Sequence, residues 1–170
     1  MKGNFEVTLD GGTFNLASDG THTNLHNGTV LKNTIVSIKA DNDLGQASGK
    51  LTFDGNATLD VQGQISSARN IVINNISNVL DTNTNQVSLG VLSGSGSLAK
   101  NGTGDLVLNQ NSQNYSGTTT INEGAVVVGV DKALGTGQLV LNDTSILKGN
   151  ASVNLANKVE VNQNVTIDTM

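Results

Sequence analysis

The chain has 170 residues, a formal net charge of −5 and no cysteine. An acidic chain without a basic stripe cannot displace counterions from nucleic acid, and without cysteine it cannot be a disulfide-stapled domain. Aromatic residues make up 2% and charged residues 14%, too few aromatics to fill an ordinary globular core and too few charges for charge-driven disorder.

Proline is absent and glycine numbers 20, so Gly, Asn, Asp, Ser and Thr do the punctuating. No apolar run reaches the roughly eighteen residues of a membrane-spanning helix. The opening Met1-Lys2-Gly3-Asn4-Phe5-Glu6 has no apolar signal-peptide core, which reads as either a cytosolic protein or a processed fragment.

In chain order, short alternating segments recur at Val7/Leu9, Phe14/Leu16, Val36/Ile38, Leu51/Phe53 and Leu59/Val61. They continue at Ile71/Ile73, Leu106/Leu108, Val126/Val128, Leu139/Leu141 and Val159/Val161. Period two over three to five residues sends one set of side chains inward from a strand. The residues between tolerate left-handed backbone and read as corners. Ser66–Asn74 comes nearest to a helix, but its Ile-Val-Ile end is β-branched. Gly20–Gly28 and Leu80–Val87 are the candidate protruding loops.

The chain also repeats itself. Gly49–Asn75 aligns with Gly137–Gln163 without a gap, pairing Leu51 with Leu139, Phe53 with Leu141 and Ile71 with Val159 at a constant offset of 88. Upstream, Val36–Gly45 aligns with Val126–Gly135 at an offset of 90, Asp41 meeting Asp131 and Leu44-Gly45 meeting Leu134-Gly135. The repeat units run from about 34 to 83 and from about 124 to 170 within one domain, 1–170. The second copy stops where the first continues, as expected of a fragment cut in mid-repeat. Short strands in an ordered array could build a sandwich, a barrel or a solenoid. The repeat, the strand length and the scarcity of aromatics favour an all-β parallel β-helix of roughly 22 residues per turn, with about four turns in the 88-residue offset.

The segment Leu92–Gly137 resembles the passenger-associated repeat of bacterial autotransporters. The resemblance rests on Gly94, Gly96 and Leu98, then Lys100, Gly102 and Gly104, then the strand Leu106/Leu108. It continues through Tyr115-Ser116-Gly117, Thr119, Ile121-Asn122, Gly124 and Val126/Val128. It implies a right-handed parallel β-helix exported to the Gram-negative cell surface, or released from it, through a C-terminal β-barrel of the same protein. It also implies a non-enzymatic adhesin or virulence factor whose partner is a host receptor, matrix or glycan. Cross-links would hinder passage through a narrow pore, which gives the missing cysteines a reading.

Chemistry has little else to stand on. His22 and His26 are four apart, the spacing of a helical zinc pair, but their flanks are Gly, Asn and Thr and read as a surface loop. Asp41-Asn42-Asp43 resembles the start of a calcium loop, yet Gly45 comes one position early and no Glu closes it. Gly94–Gly104 lacks the lysine spacing of a phosphate loop. There is no G-x-S-x-G elbow, and with one arginine, Arg69, no basic cluster suits cleavage of acidic polysaccharides. No cofactor, metal or catalytic residue is expected. Asn27, Asn56, Asn101, Asn114 and Asn142 head Asn-x-Ser/Thr triplets, read as stacked Asn ladders in turns.

Overall fold

The computed structural model describes residues 5–17 and 25–169. Each alternating segment forms a strand, and each turn of chain lays its strands on those of the turn before. The first turn holds β1 (Val7–Asp10) and β2 (Thr13–Asn15), and the second β3 (Gly28–Lys32) and β4 (Ile35–Ile38). The third holds β5 (Lys50–Asp54), β6 (Thr58–Val61) and β7 (Ile65–Ser66); the fourth β8 (Ile71–Asn74), β9 (Asn78–Asp81) and β10 (Val87–Leu89). The fifth holds β11 (Leu92–Ser93), β12 (Leu98–Asn101) and β13 (Leu106–Leu108). Three more turns carry two strands each: β14 (Thr119–Ile121) with β15 (Ala125–Val128), β16 (Leu139–Leu141) with β17 (Ile146–Gly149), and β18 (Val159–Val161) with β19 (Thr166–Thr169).

The strands stack into three parallel sheets. Sheet A is β1-β3-β5-β8-β11, sheet B runs through eight strands from β2 to β18, and sheet C through six from β7 to β19. This is the all-β parallel solenoid expected from the repeat. The registers advance by about 21 residues per turn, as in Thr58↔Val79 and Leu98↔Thr119, close to the expected period. At about 4.8 Å per rung, like side chains pile into columns. In sheet A, Leu9, Leu31, Phe53 and Ile73 form one column. In sheet C, Ile65, Val87, Leu106, Val126 and Leu147 form another. Apart from the half-buried Leu9 at one end, these columns are buried together in one core, so a narrow interior is filled without large aromatics.

One expectation is corrected. Leu80–Val87 is not a protruding loop, because Leu80 and Val87 are both core residues in β9 and β10. Only a five-residue turn separates those strands, and its Thr82 is fully buried. Of Gly20–Gly28, residues 20–24 lie outside the described residues and Gly28 already begins β3.

The internal repeat takes a form that the sequence did not disclose. Leu51 lies in β5 of sheet A, whereas its match Leu139 lies in β16 of sheet B. Val36 in sheet B matches Val126 in sheet C, and Ile71 in sheet A matches Val159 in sheet B. Four rungs separate β6 from β16 in sheet B, so the offset amounts to four turns plus one face rather than four turns. The local structure nonetheless repeats. In Asp41–Gly45, the Asp43 and Gly45 amides donate to the Ala40 and Asn42 carbonyls. In Asp131–Gly135, the Ala133 and Gly135 amides donate to the Val130 and Lys132 carbonyls. Each turn buries its leucine, Leu44 or Leu134, and stands in place of a strand, the first between β4 and β5 and the second between β15 and β16.

Arg69 locks the first of these turns. It is 2% exposed, and all its donor nitrogens are used. Nε donates to Asp41 Oδ1 at 2.8 Å, Nη1 to the Gln46 and Gly49 carbonyls, and Nη2 to the Asp41 and Gly45 carbonyls. A planar fork fits this cradle and a lysine does not. We therefore expect Arg69→Lys to cost about 3 kcal/mol in urea denaturation, against less than about 0.5 kcal/mol for a swap at the exposed Lys32.

Candidate functional site: the Leu92–Gly137 segment

Most residues that carry the repeat resemblance occupy two kinds of position, and the stacking geometry explains both. Leu98, Leu106, Leu108, Ile121, Val126 and Val128 point inward and are buried, and Thr119 stands in the inward column between Leu98 and Leu139. Gly94, Gly96, Gly102, Gly104, Gly117 and Gly124 stand at corners against the backbone of the preceding turn. A Cβ on Gly117 would overlap the Gly96 carbonyl oxygen, and one on Gly137 would overlap the Gly117 carbonyl oxygen. The three glycines form an axial column where sheet A turns into sheet B.

Lys100 is the unexpected member. Its registers are Leu80↔Lys100↔Ile121, so it occupies an inward column that is otherwise apolar, and it is 0% exposed. Its ammonium reaches the corner between sheets B and C. There it donates to Thr82 Oγ1 at 3.0 Å, to the Asn101 carbonyl at 3.1 Å, to the Gly102 carbonyl, and to the Glu123 carbonyl at 3.0 Å. Those acceptors belong to three successive turns, so one cation ties three rungs. Gly102 has φ +82, and a Cβ there would overlap Asn83 N. The Lys-x-Gly spacing therefore brings a turning backbone carbonyl to the buried ammonium. Burial pushes the Lys100 amine down to about 8, against the opposing pull of Asp105, Asp81 and Glu123.

Tyr115 fills the face where sheet A has ended. Its only strand-like contact is a bridge with Gly94, and the ring is fully buried. The phenol donates to the Thr118 carbonyl at 3.1 Å, and burial pushes its pKa up to about 12. Ser116 donates its amide to the Gly94 carbonyl at 2.9 Å, while Gly117 lets the ring and the previous corner approach. The Tyr-Ser-Gly triplet is thus a strand substitute, one turn before Asp131–Gly135.

Asn122 belongs to a ladder along the outer edge of sheet B. Its side-chain amide donates to Asn101 Oδ1 at 2.8 Å, Asn142 to Asn122 at 2.7 Å, and Asn162 to Asn142 at 3.0 Å. The same outward column continues toward the N-terminus as Asp81, Asp60, Ser37 and Asn15. Asp60 accepts from Ser37 at 2.7 Å and from Asn83 at 2.7 Å. Burial pushes its pKa up, but these hydrogen bonds and one from Gln62 outweigh that and leave it lowered. Of the five residues that head Asn-x-Ser/Thr triplets, Asn101 and Asn142 belong to this ladder and Asn27, Asn56 and Asn114 do not.

The other polar candidates are also engaged within the fold. Asp41 pairs with Arg69, and Asp43 Oδ2 accepts the Lys39 and Ala40 amides. His22 lies outside the described residues. His26 Nε2 is 2.8 Å from Thr29 Oγ1, whose hydroxyl donates to the Leu44 carbonyl. Burial and then the Arg69 charge hold the His26 pKa below its usual value. Among the described residues no group of three or more His, Cys, Asp or Glu could hold a metal ion.

Lys100 makes a prediction with a definite sign. Its folded pKa of about 8 lies below the ordinary 10.5, so between those values the unfolded chain holds the extra proton. Stability should then rise with pH, by about 2 kcal/mol from about pH 7.5 to about pH 9.5, below the range where Tyr115 begins to oppose it. Denaturant titrations of Lys100→Met should lose that rise and also lie about 1–3 kcal/mol lower near neutrality, because buried carbonyls lose their donor. Gly117→Ala should cost more than about 4 kcal/mol, or prevent folding, in the same titrations, because its Cβ has no room between two rungs.

The passenger-associated-transport-repeat family matches residues 98–128. The uncharacterized lipoprotein YdeK of Escherichia coli is 30% identical over 166 aligned residues, covering 88% of this chain and 12% of the lipoprotein. The adhesin BmaC autotransporter of Brucella suis is 29% identical over 123 residues, covering 72% of this chain and 4% of the adhesin. The chain thus spans about one-eighth or less of the length of these curated relatives. No solved structure matches. With the family match seated at the corners and columns of a parallel solenoid, residues 98–128 form a passenger-associated transport repeat, and the chain as a β-helical segment is similar to part of an autotransporter adhesin.

Proposed function

We propose that this segment is a non-enzymatic scaffold exported to the bacterial cell envelope or surface, where its outer faces mediate adhesion to host cells or matrix. The observation that carries this reading is the passenger repeat at residues 98–128, supported by likeness to a protein described as an adhesin. The structure gives the repeat residues a mechanical role. Lys100, Tyr115 and the corner glycines hold rungs together, and nearest-neighbour stacking of this kind propagates along a solenoid. Growth of the coil outside the cell, turn upon turn, would bias export outward, with the β-barrel of the full-length protein as the exit.

Two expectations accompany this reading. A bacterium displaying the segment on a surface-anchored carrier should bind host cells or immobilised matrix at least about tenfold above the carrier alone. The purified chain should compete for that binding. Competition without any attachment of displaying bacteria would favour a released ligand instead, and glycan cleavage abolished by a single Asp substitution would favour an enzyme.

A further inference from the structure

Along the asparagine ladder each side-chain amide is bonded to its neighbour. The opposite situation holds at the corner where sheet C gives way to sheet A. A shallow groove of about 400 Å³ crosses three rungs there, lined by Ser66, Ser67, Ser88, Asn109 and Gln110 over a floor that includes Gly90. Ser66 and Ser88 are paired positions on adjacent strands, so their hydroxyls are one rung apart. Ser66, Asn109 and Gln110 are exposed. Among the described residues, the side chains of Ser66, Ser88, Asn109 and Gln110 have no hydrogen-bond partner within the chain.

We propose that this groove is a binding subsite for a neutral saccharide, which gives the adhesive reading above a specific ligand class and rests on that reading. The lining offers hydroxyl and amide groups that both donate and accept, and no charged side chain lines it. Neither a polyanion nor a cation therefore finds a counter-charge there, while a sugar ring presents the matching mixture of donors and acceptors. The volume lies within the range of small-ligand sites. Glycine at position 90 keeps the floor low, packed so closely on the preceding turn that a Cβ would overlap the Arg69 carbonyl. The lining holds no aromatic ring on which a sugar could stack, so binding by one subsite is weak. Useful attachment comes from many displayed copies acting together.

The test is protein-observed NMR, titrating the isotope-labelled purified chain with lactose, cellobiose and, as the charged comparison, a heparin disaccharide. At least one neutral disaccharide should bind in the millimolar range, shifting the Gly90 and Val91 amides, and the heparin disaccharide should bind at least about tenfold more weakly. The combined variant Ser66→Ala, Asn109→Ala, Gln110→Ala changes only exposed side chains and should lose at least about tenfold in affinity, while Ser116→Ala should bind as the parent does. No saturable binding of either neutral sugar, equal affinity in the combined variant, or preference for the heparin disaccharide overturns the proposal. Cell attachment by a chain that binds no sugar overturns the groove alone and leaves the adhesive reading standing. Sugar binding without cell attachment does the reverse.

Discussion

Everything in this molecule follows from main-chain hydrogen bonding between one turn and the next. Strands spaced about 4.8 Å apart in parallel register leave no freedom in how corners meet. Where the chain bends, the backbone of one turn lies directly on that of the last, and side chains at those points must be absent or turned outward. The column Gly96, Gly117 and Gly137 is the direct result. So is the use of Asn33, Asn56 and Asn75 at positive φ, since Asn is among the few residues with a side chain that tolerate that backbone region. The same spacing that crowds the corners lets the Asn101–Asn162 amides bond in series on the outside.

A narrow interior filled with Leu, Ile and Val gives hydrophobic stabilisation but little to fix corners against one another. That task falls to polar side chains that turn away from water. Arg69 satisfies the carbonyls of a turn that lacks a strand. Lys100 leaves an aliphatic column to collect carbonyls from adjacent corners. Asn78, 1% exposed, donates to the Asn74 and Asn75 carbonyls where sheet A turns into sheet B. Each is costly to bury unpaired and stabilising once paired, so these residues favour the correct rung register over a slipped one.

The strands with clean alternation, such as Leu51/Phe53, Leu106/Leu108 and Leu139/Leu141, could be read from the sequence, and they lie in β5, β13 and β16. Their inward residues are aliphatic or aromatic. One strand with apolar inward residues, β10 with Val87 and Leu89, escaped because it follows a polar turn, and others escaped where an inward residue is polar. In β3 the inward pair is Thr29 and Leu31, and in β12 it is Leu98 and Lys100, so neither shows period two in hydrophobicity. No pattern of apolar residues assigns a lysine to a core; only its distance from the carbonyls of the next corner does that. The groove at Ser66, Ser88 and Asn109 was equally hidden, because its parts come from three turns about 21 residues apart. The Asn ladder was legible only in part, from the abundance of Asn-x-Ser/Thr triplets: Asn101 and Asn142 head such triplets, whereas Asn122 and Asn162 do not.

The phase of the internal repeat bears on how such a rod meets its surroundings. Because the second copy begins one face later, residues that correspond in sequence stand on different faces, as Asp41 and Asp131 do between β4 and β5 and between β15 and β16. On a coil with three faces, the duplicate is rotated by roughly a third of a revolution about the long axis. Copying a cassette of this length therefore does not lengthen one uniform wall. It winds the pattern around the rod, so that a feature carried by every copy would be presented at successive azimuths and the assembled passenger would have no single front.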